Sequence, residues 1–413
     1  MALSHFTAAM AAAKPFPGAR TFLNARVKWV RDPYLDKAVE NEKNLKPLLS
    51  LKALIVSQPS KTLPLRIISP LRPQLRLPTT ALDFVRKYHY LFKLFRPPNM
   101  RLSTPHVKLT PKALSLHNDE MLITGLSHYR KDLAERLAKL LMIARARRLP
   151  LGVIDKFRFD LGLPHDYLLS FLPEFPDYFQ ICDMVADNPS PLGPQEFGLE
   201  LVRWRDDLSV SVMEKQWRGE DSETRRRGPI RFPMNLPRGF DLEKRVKNWV
   251  DEWQNLPYIS PYEDAFHLNP SSDQAEKWAV AVIHEVLNLL VSKKTEKENL
   301  YYLGDYLGFG MRFKKALAHH PGIFYVSNKI STQTVVLREA FNKNLLIEKH
   351  PLIGLRYKYI YLMNLVLRRG IPIHAAAIRN RERLASIKGR NIGKEGRGQR
   401  LARIGDRYHG NQN

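Results

Sequence analysis

The chain has 413 residues and one cysteine, Cys182, so it can form neither an internal disulfide nor a cysteine-based zinc site. No uncharged apolar run approaches the roughly 18 residues of a membrane-spanning helix, so a soluble protein without membrane insertion is expected. A Walker A sequence, a G-x-S-x-G elbow and a dinucleotide fingerprint are all missing. The glycine-rich "GKEGRGQR" has neither the spacing nor the preceding strand of a phosphate loop. The expectation is a protein that is not an enzyme, with no catalytic residue, metal site or cofactor. Acid is also scarce: 41 Asp+Glu stand against 66 Lys+Arg, for a net charge of +25. Such an excess points to a polyanionic partner.

What remains is a chain that folds over most of its length, with 44% hydrophobic and 10% aromatic residues. About half of the excess charge sits at the two ends. Residues 1–31 contain five basic residues and no acid, and residues 376–413 contain ten basic residues and three acids. The Ala-rich, Arg-punctuated start reads as an organelle transit peptide over residues 1–26, the bland alternative being an unstructured basic terminus. Its few serines favour the mitochondrion over the chloroplast. The tail mixes glycine with arginine and has little apolar periodicity, so disorder is expected there. It either binds nucleic-acid backbone or merely solubilises the chain.

Adjacent histidines in "LAHHPGIFYVS" (317–327) raise a metal or acid–base reading, which a repeat answers. "YLLSFLPEFPDYFQI" (167–181) aligns with "FKKALAHHPGIFYVS" when Pro176 is set on Pro321. "ALDFVRKYHYLFKLF" (81–95) is a third copy, with His89 in place of proline. In all three, apolar residues at helical spacing stop at that position, and alternating apolar residues follow, as in a strand with one buried face. A turn-rich stretch and a second strand candidate come next. His320 aligns with Tyr88 and Phe175 and reads as a partly buried aromatic substitute. His319 aligns with Lys87 and Glu174 and reads as solvated. The pair begins a strand.

The copies lie 87 and then 145 residues apart, which excludes a solenoid of fixed period. The longer gap holds a basic insertion near 215–240, "WRGEDSETRRRGPIRFPMNLPRGF", expected to be a mobile loop. The fold class is thus α+β and predominantly helical, with repeated helix–strand–loop–strand, winged-helix-like units near 81–125, 150–205 and 305–350.

Several helices can be placed. Thr110 is the N-cap of a helix that opens on Pro111. "YRKDLAERLAKLLMIARARR" puts Leu133, Leu137, Leu140 and Leu141 on one face, and Arg130, Lys131, Arg136 and Lys139 with the terminal arginines on a basic ridge. Gly162 ends the next helix. In "WQNLPYISPYED" (253–264), Ser260, Pro261 and Glu263 have the spacing of a capping box that opens a helix. His284-Glu285 has half of a metalloprotease motif, but Asn288 stands where the second histidine is needed, so His284 reads as a hydrogen-bonded core residue.

Several ordered blocks resemble the plant organelle RNA recognition domain family. They are "VKWVRDPYLDKAV" (27–39), "RLAKLLMIARARRLPL" (136–151), "LGLPHDYLLSFLPEFPDYFQI" (161–181), "WQNLPYISPYED" (253–264), "HPGIFYVSNK" (320–329) and "VLREAFNKNLLIEKHPL" (336–352). His89 departs from the proline expected in relatives, and the basic tail lies outside the family pattern. The resemblance implies an RNA-binding domain over 27–375, import into mitochondria or chloroplasts, and binding of group II intron RNA to promote splicing. It brings no catalytic residues. Other organellar splicing factors are implied as partners. DNA binding and a scaffold role are the alternatives from other classes.

Charge and placement nominate the RNA contacts: Arg86, Lys87, Lys93 and Arg96 in the first unit; Arg145, Arg147 and Arg148 in the second; Arg225, Arg226 and Arg227 in the insertion; Lys314, Lys315, Lys329, Arg356 and Lys358 in the third. Tyr88, Tyr90 and Tyr325 are candidates for stacking on unpaired bases, weighed against core packing.

Overall fold

The computed structural model describes residues 30–97, 104–184, 196–219, 229–236 and 243–368. The transit-like start, the basic tail and Arg225 to Arg227 lie outside the described residues. The described residues fall into two compact bodies. The larger takes its described residues from 30–49 and 117–356, the smaller from 50–116 and 357–368.

Helix α1 (Pro33–Glu40) opens the described chain, with Asp32 accepting from the backbone N–H groups of Tyr34 and Leu35 as its N-cap. Next comes a module built of α2 (Leu45–Val56), β1 (Thr62–Pro64), α3 (Leu65–Ile68), α4 (Ala81–Lys87), β2 (Phe92–Phe95) and β3 (His106–Leu109). Helix α5 (Pro111–Gly125) leads to the second module: α6 (Ser127–Ile143), β4 (Arg148–Pro150), α7 (Leu151–Leu161), α8 (Tyr167–Ser170), β5 (Phe179–Met184) and β6 (Glu196–Leu201). After α9 (Val212–Gly219) and α10 (Lys244–Asn255), the third module repeats the order with α11 (Asp273–Leu289), β7 (Lys294–Glu296), α12 (Lys297–Tyr306), α13 (Met311–His319), β8 (Phe324–Ser327) and β9 (Thr334–Leu337). A two-stranded hairpin, β10 (Phe341–Asn342) and β11 (Leu345–Leu346), and α14 (Pro351–Arg368) follow.

Each module carries its own antiparallel sheet, in the orders β1-β3-β2, β4-β6-β5 and β7-β9-β8. The helix, strand, loop and strand read from the sequence are present in all three copies. A short first strand, unread in the sequence, precedes each and pairs with the last. The helix-to-strand turn is also common to the three. Phe92 N–H donates to Tyr88 O at 3.0 Å, Phe179 N–H to Phe175 O at 3.1 Å, and Phe324 N–H to His320 O at 3.0 Å. His89 therefore makes the turn that Pro176 and Pro321 make in the other copies.

The two modules of the larger body match most closely. Helices α6 and α11 each have 17 residues, and both pack their apolar stripe into one core. Leu133, Leu137, Leu140 and Leu141 are 0–1% exposed, as the leucine spacing requires. Burying each such side chain contributes about 1.5–3 kcal/mol. Ser272 caps α11, accepting from Ala275 N–H at 3.2 Å, and Asp273 and Glu276 favour its positive N-terminal end. Thr110 caps α5 in the same way through Ala113 N–H. Helix α7 ends at Gly162, where φ is +82° and an added Cβ would lie 2.8 Å from Leu352 Cδ1. Only glycine meets both demands.

Three local expectations are corrected. Residues 261–263 form turns and not a helix, because Ser260 Oγ donates to Glu214 at 3.1 Å and Tyr262 is fastened elsewhere. His319 is not simply solvated: its Nδ1 lies 3.0 Å from Glu276 Oε1, tying α13 to α11. Part of the insertion is anchored. Gln254 pairs with both backbone groups of Phe232 at 2.9 Å, and Lys277 donates to the carbonyls of Ile230, Gln254 and Leu256. Burial pushes the Lys277 ammonium down to about 8.

His320 is 1% exposed, packed with its ring centroid 4.1 Å from that of Trp253 and hydrogen-bonded to Glu276 at 2.9 Å. It is an aromatic core residue with one polar tether. His284 is likewise a core histidine, 2.7 Å from Glu339 Oε1.

Candidate nucleic-acid interface

In the smaller body, Arg86, Lys87, Lys93 and Arg96 are all exposed around α4 and β2. Lys93 stands directly opposite Lys108 in the β2–β3 register. Like charges facing each other across a sheet repel, a cost that an anion laid over them would relieve. Lys108 went unread in the sequence; its Nζ sits 4.9 Å from the centre of the Phe95 ring. Lys358 is exposed in the same body. Tyr88 is 4% exposed and belongs to the core, while Tyr90 is half-buried.

In the larger body the basic ridge expected on α6 is largely consumed by structure. Arg130 binds Glu174 and Ser170 O, each at 2.6 Å, and Arg136 holds Asp132 and Leu161 O. Lys139 is buried against Glu285 at 2.8 Å. Arg356 is 6% exposed, with its guanidinium 3.9 Å from the Phe159 ring centre and bonded to Phe159 O, so it is a core strut and no surface cation. Tyr325 is 1% exposed, and its hydroxyl donates to Asp36 at 2.8 Å. Lys314 and Lys329 are exposed and Lys315 half-buried.

Arg145, Arg147 and Arg148 stay on the surface where α6 runs into β4. The helix stops at Ile143, before all three, so they do not serve as its last turn. Arg147 adopts φ +53°, the left-handed conformation that lets the chain reverse into a short strand. Arg148 lies opposite Glu200 in the β4–β6 register. Arg145 Nε is 3.2 Å from Asp264, an exposed pair worth little by itself. Arg147 has no ion pair among the described residues.

Beside these arginines lies a cavity of about 230 Å³, lined by Met142, Ile143, Ala144, Arg145, Arg147, Trp204, Pro261, Tyr262, Glu263, Asp264, Phe266 and Trp278. Its walls come from four separate stretches of chain. Trp204, Tyr262 and Phe266 are part-exposed, and Trp278 is buried. The Tyr262 hydroxyl donates to Glu285 at 2.7 Å, and burial with that carboxylate nearby raises the phenol well above its ordinary value. Glu285, 1% exposed, also takes Lys139 and the Val212 N–H. Trp278 donates to Ser260 O at 3.2 Å. A second, wider concavity of about 590 Å³ lies between Arg130, Lys131, Glu174, Phe175 and Tyr178.

Among the described residues no three His, Cys, Asp or Glu side chains gather as a metal would need, and no helix is long and apolar enough to cross a membrane.

Comparison with known proteins gives a consistent answer. The profile of a family described as the plant organelle RNA recognition domain matches residues 30–368. The chain is 35% identical over 356 residues to Protein WHAT'S THIS FACTOR 9, mitochondrial, of Arabidopsis thaliana, spanning 83% of this chain and 86% of that one. It is 32% identical over 361 residues to Protein WHAT'S THIS FACTOR 1 homolog, chloroplastic, of the same plant, spanning 85% and 66%. Protein ROOT PRIMORDIUM DEFECTIVE 1 of Arabidopsis thaliana is 29% identical over 389 residues, spanning 90% and 91%. No solved structure matches.

Proposed function

Because the chain belongs to the plant organelle RNA recognition family, we propose that it binds group II intron RNA inside an organelle and promotes splicing by stabilising the folded intron. The observation that carries this reading is the family match over residues 30–368, to which the exposed arginines beside an aromatic-lined cavity add a suitable surface. Such introns cleave and join themselves, so a protein helper needs to supply only positioning and folding energy. Surface cations do this by displacing counterions from phosphates, with affinity that falls as salt rises.

The nominated contacts that the structure leaves on the surface are Arg86, Lys87, Lys93, Arg96, Arg145, Arg147, Arg148, Lys314, Lys329 and Lys358, with Lys315 half-buried. We read each helix–strand–helix–helix–strand–strand module as winged-helix-like, a frame that presents cations at helix ends and strand edges. The acid-free start and a relative named mitochondrial favour the mitochondrion. Relatives named chloroplastic support the plastid as the second reading. Other organellar splicing factors are the further partners this reading implies.

The test is RNA co-immunoprecipitation of the tagged protein from both purified organelles, followed by sequencing. Enrichment of a few intron segments is expected. Broad recovery of all transcripts, or recovery of DNA, would overturn the intron reading.

A further inference from the structure

We propose that the cavity at the end of α6 holds one unpaired guanine of single-stranded RNA. The proposal rests on the RNA-binding reading above and adds which base the second module reads.

Size and lining argue for a base. At about 230 Å³ the cavity is below the roughly 300–1,000 Å³ of sites for drug-sized ligands, and suits one planar ring system. Trp204, Tyr262 and Phe266 offer part-exposed rings on which a splayed-out base can stack. The walls are set in advance. Tyr262 is fastened to Glu285, which Lys139 holds at 2.8 Å, so little freedom remains to be lost on binding.

The charges argue for guanine. Two carboxylates, Glu263 and Asp264, line a cavity that arginines also line, in a chain whose net charge is +25. Neither carboxylate can serve a phosphate. Asp264 is paired with Arg145, whereas the Glu263 side chain has no hydrogen bond or ion pair among the described residues. An ionised carboxylate only accepts hydrogen bonds. Guanine alone among the four bases has two adjacent donors, N1–H and the 2-amino group, on its Watson–Crick edge. Adenine, cytosine and uracil would each turn an acceptor toward Glu263. Arg147, without an acid partner among the described residues, is placed to take the neighbouring phosphate, and the Arg145 guanidinium lies 6.0 Å from the Phe266 ring centre.

The test uses the full-length protein and fluorescent oligouridines carrying one central guanosine, inosine or adenosine. Replacing guanosine by inosine, which lacks the 2-amino group, is expected to weaken wild-type binding about tenfold. Glu263→Gln should abolish that preference while leaving the salt dependence unchanged, and at its exposed position the change should leave folding intact. Trp204→Ala should lower affinity for every oligomer about tenfold, with Trp204→Phe restoring it. Equal wild-type affinity for the three oligomers, or a guanosine preference that survives Glu263→Gln, would overturn the pocket alone. A wild-type protein that binds none of the oligomers and no intron RNA would overturn the RNA-binding reading and the pocket with it.

Discussion

The second and third modules place the same backbone under opposite demands. The residue before the first strand is left-handed in both, Arg147 at φ +53° and Lys293 at +51°, and the next residue is basic in both, Arg148 and Lys294. In the second module these cations are on the surface. In the third they are 8% and 7% exposed and paired with Glu348 and Glu42 at 2.7 and 2.9 Å. The two leading helices diverge in the same manner. Their fourth residues are Arg130 and Glu276, and each pairs with the residue just ahead of its module's last aromatic turn, Glu174 in one and His319 in the other. Their thirteenth residues, Lys139 and Glu285, pair with each other. Duplicated positions have thus been turned either into internal ties or into a free surface. Basic residues in the sequence alone do not say which.

The largest effect should come from that central tie. Glu285 is 1% exposed and also holds Tyr262 and the Val212 N–H. Glu285→Ala would strand the Lys139 charge in the interior and should cost ~3–5 kcal/mol, read as a lowered urea midpoint. The exposed Arg148→Gln should change the unfolding free energy by no more than about 0.5 kcal/mol. Equal effects of the two would end the distinction between tie and surface.

Glycines at the ends of α7 and α12 sharpen it. Gly162 and Gly308 are both left-handed, at φ +82° and +77°. An added Cβ at Gly162 meets Leu352 at 2.8 Å, with Tyr129 and Val291 at 3.1 Å, whereas at Gly308 it meets only Phe266, at 3.3 Å and beyond. Gly162→Ala should therefore destabilise by ~1–3 kcal/mol and Gly308→Ala by less, both from thermal or urea unfolding.

On the surface side, changing Arg145, Arg147 and Arg148 together to Gln should weaken RNA binding. The slope of log affinity against log salt should fall by about 0.7 for each phosphate that these side chains no longer neutralise. The matching change at Lys293 and Lys294 should act on stability first. An unchanged salt slope in the arginine variant would remove that cluster from the interface.

The legible parts of this fold were local ones. Pro176 and Pro321 announced the helix-to-strand turns, Thr110 and Gly162 the helix ends, and the leucine spacing of α6 its buried face. The first strands were invisible, because a three-residue strand such as Arg148–Pro150 has no room for alternation and ends on a proline. Ser260 misled because a capping pattern is also local, while its hydroxyl is engaged by Glu214 from another segment. The same holds for charge. Arg136, Lys139 and Arg356 carry the residue type of an RNA contact, but partners such as Leu161 O, Glu285 and Phe159 O arrive from far along the chain. The candidate cavity has walls from four stretches, of which the end of "RLAKLLMIARARRLPL" and the end of "WQNLPYISPYED" stood out in the sequence, while Trp204 and Trp278 did not.

The effect most specific to the third module concerns Glu276. Burial by itself would raise this carboxyl, but the hydrogen bonds from His319 and His320, with the charge those rings carry when protonated, outweigh it and bring the group from 4.5 down to about 2. A carboxylate held low in the folded state contributes stability that is fully present above its unfolded value and is lost as pH falls through the folded one. The tie should therefore be intact at neutral pH and weaken only between about 4.5 and 2. The exposed Arg130–Glu174 pair of the second module, with Glu174 52% exposed, should add little to that acid limb. Measured as unfolding free energy against pH, Glu276→Gln should flatten the fall across this window, and Glu174→Gln should leave it in place. An acid limb that is the same in wild type and Glu276→Gln would show that the two modules are held by equivalent contacts after all.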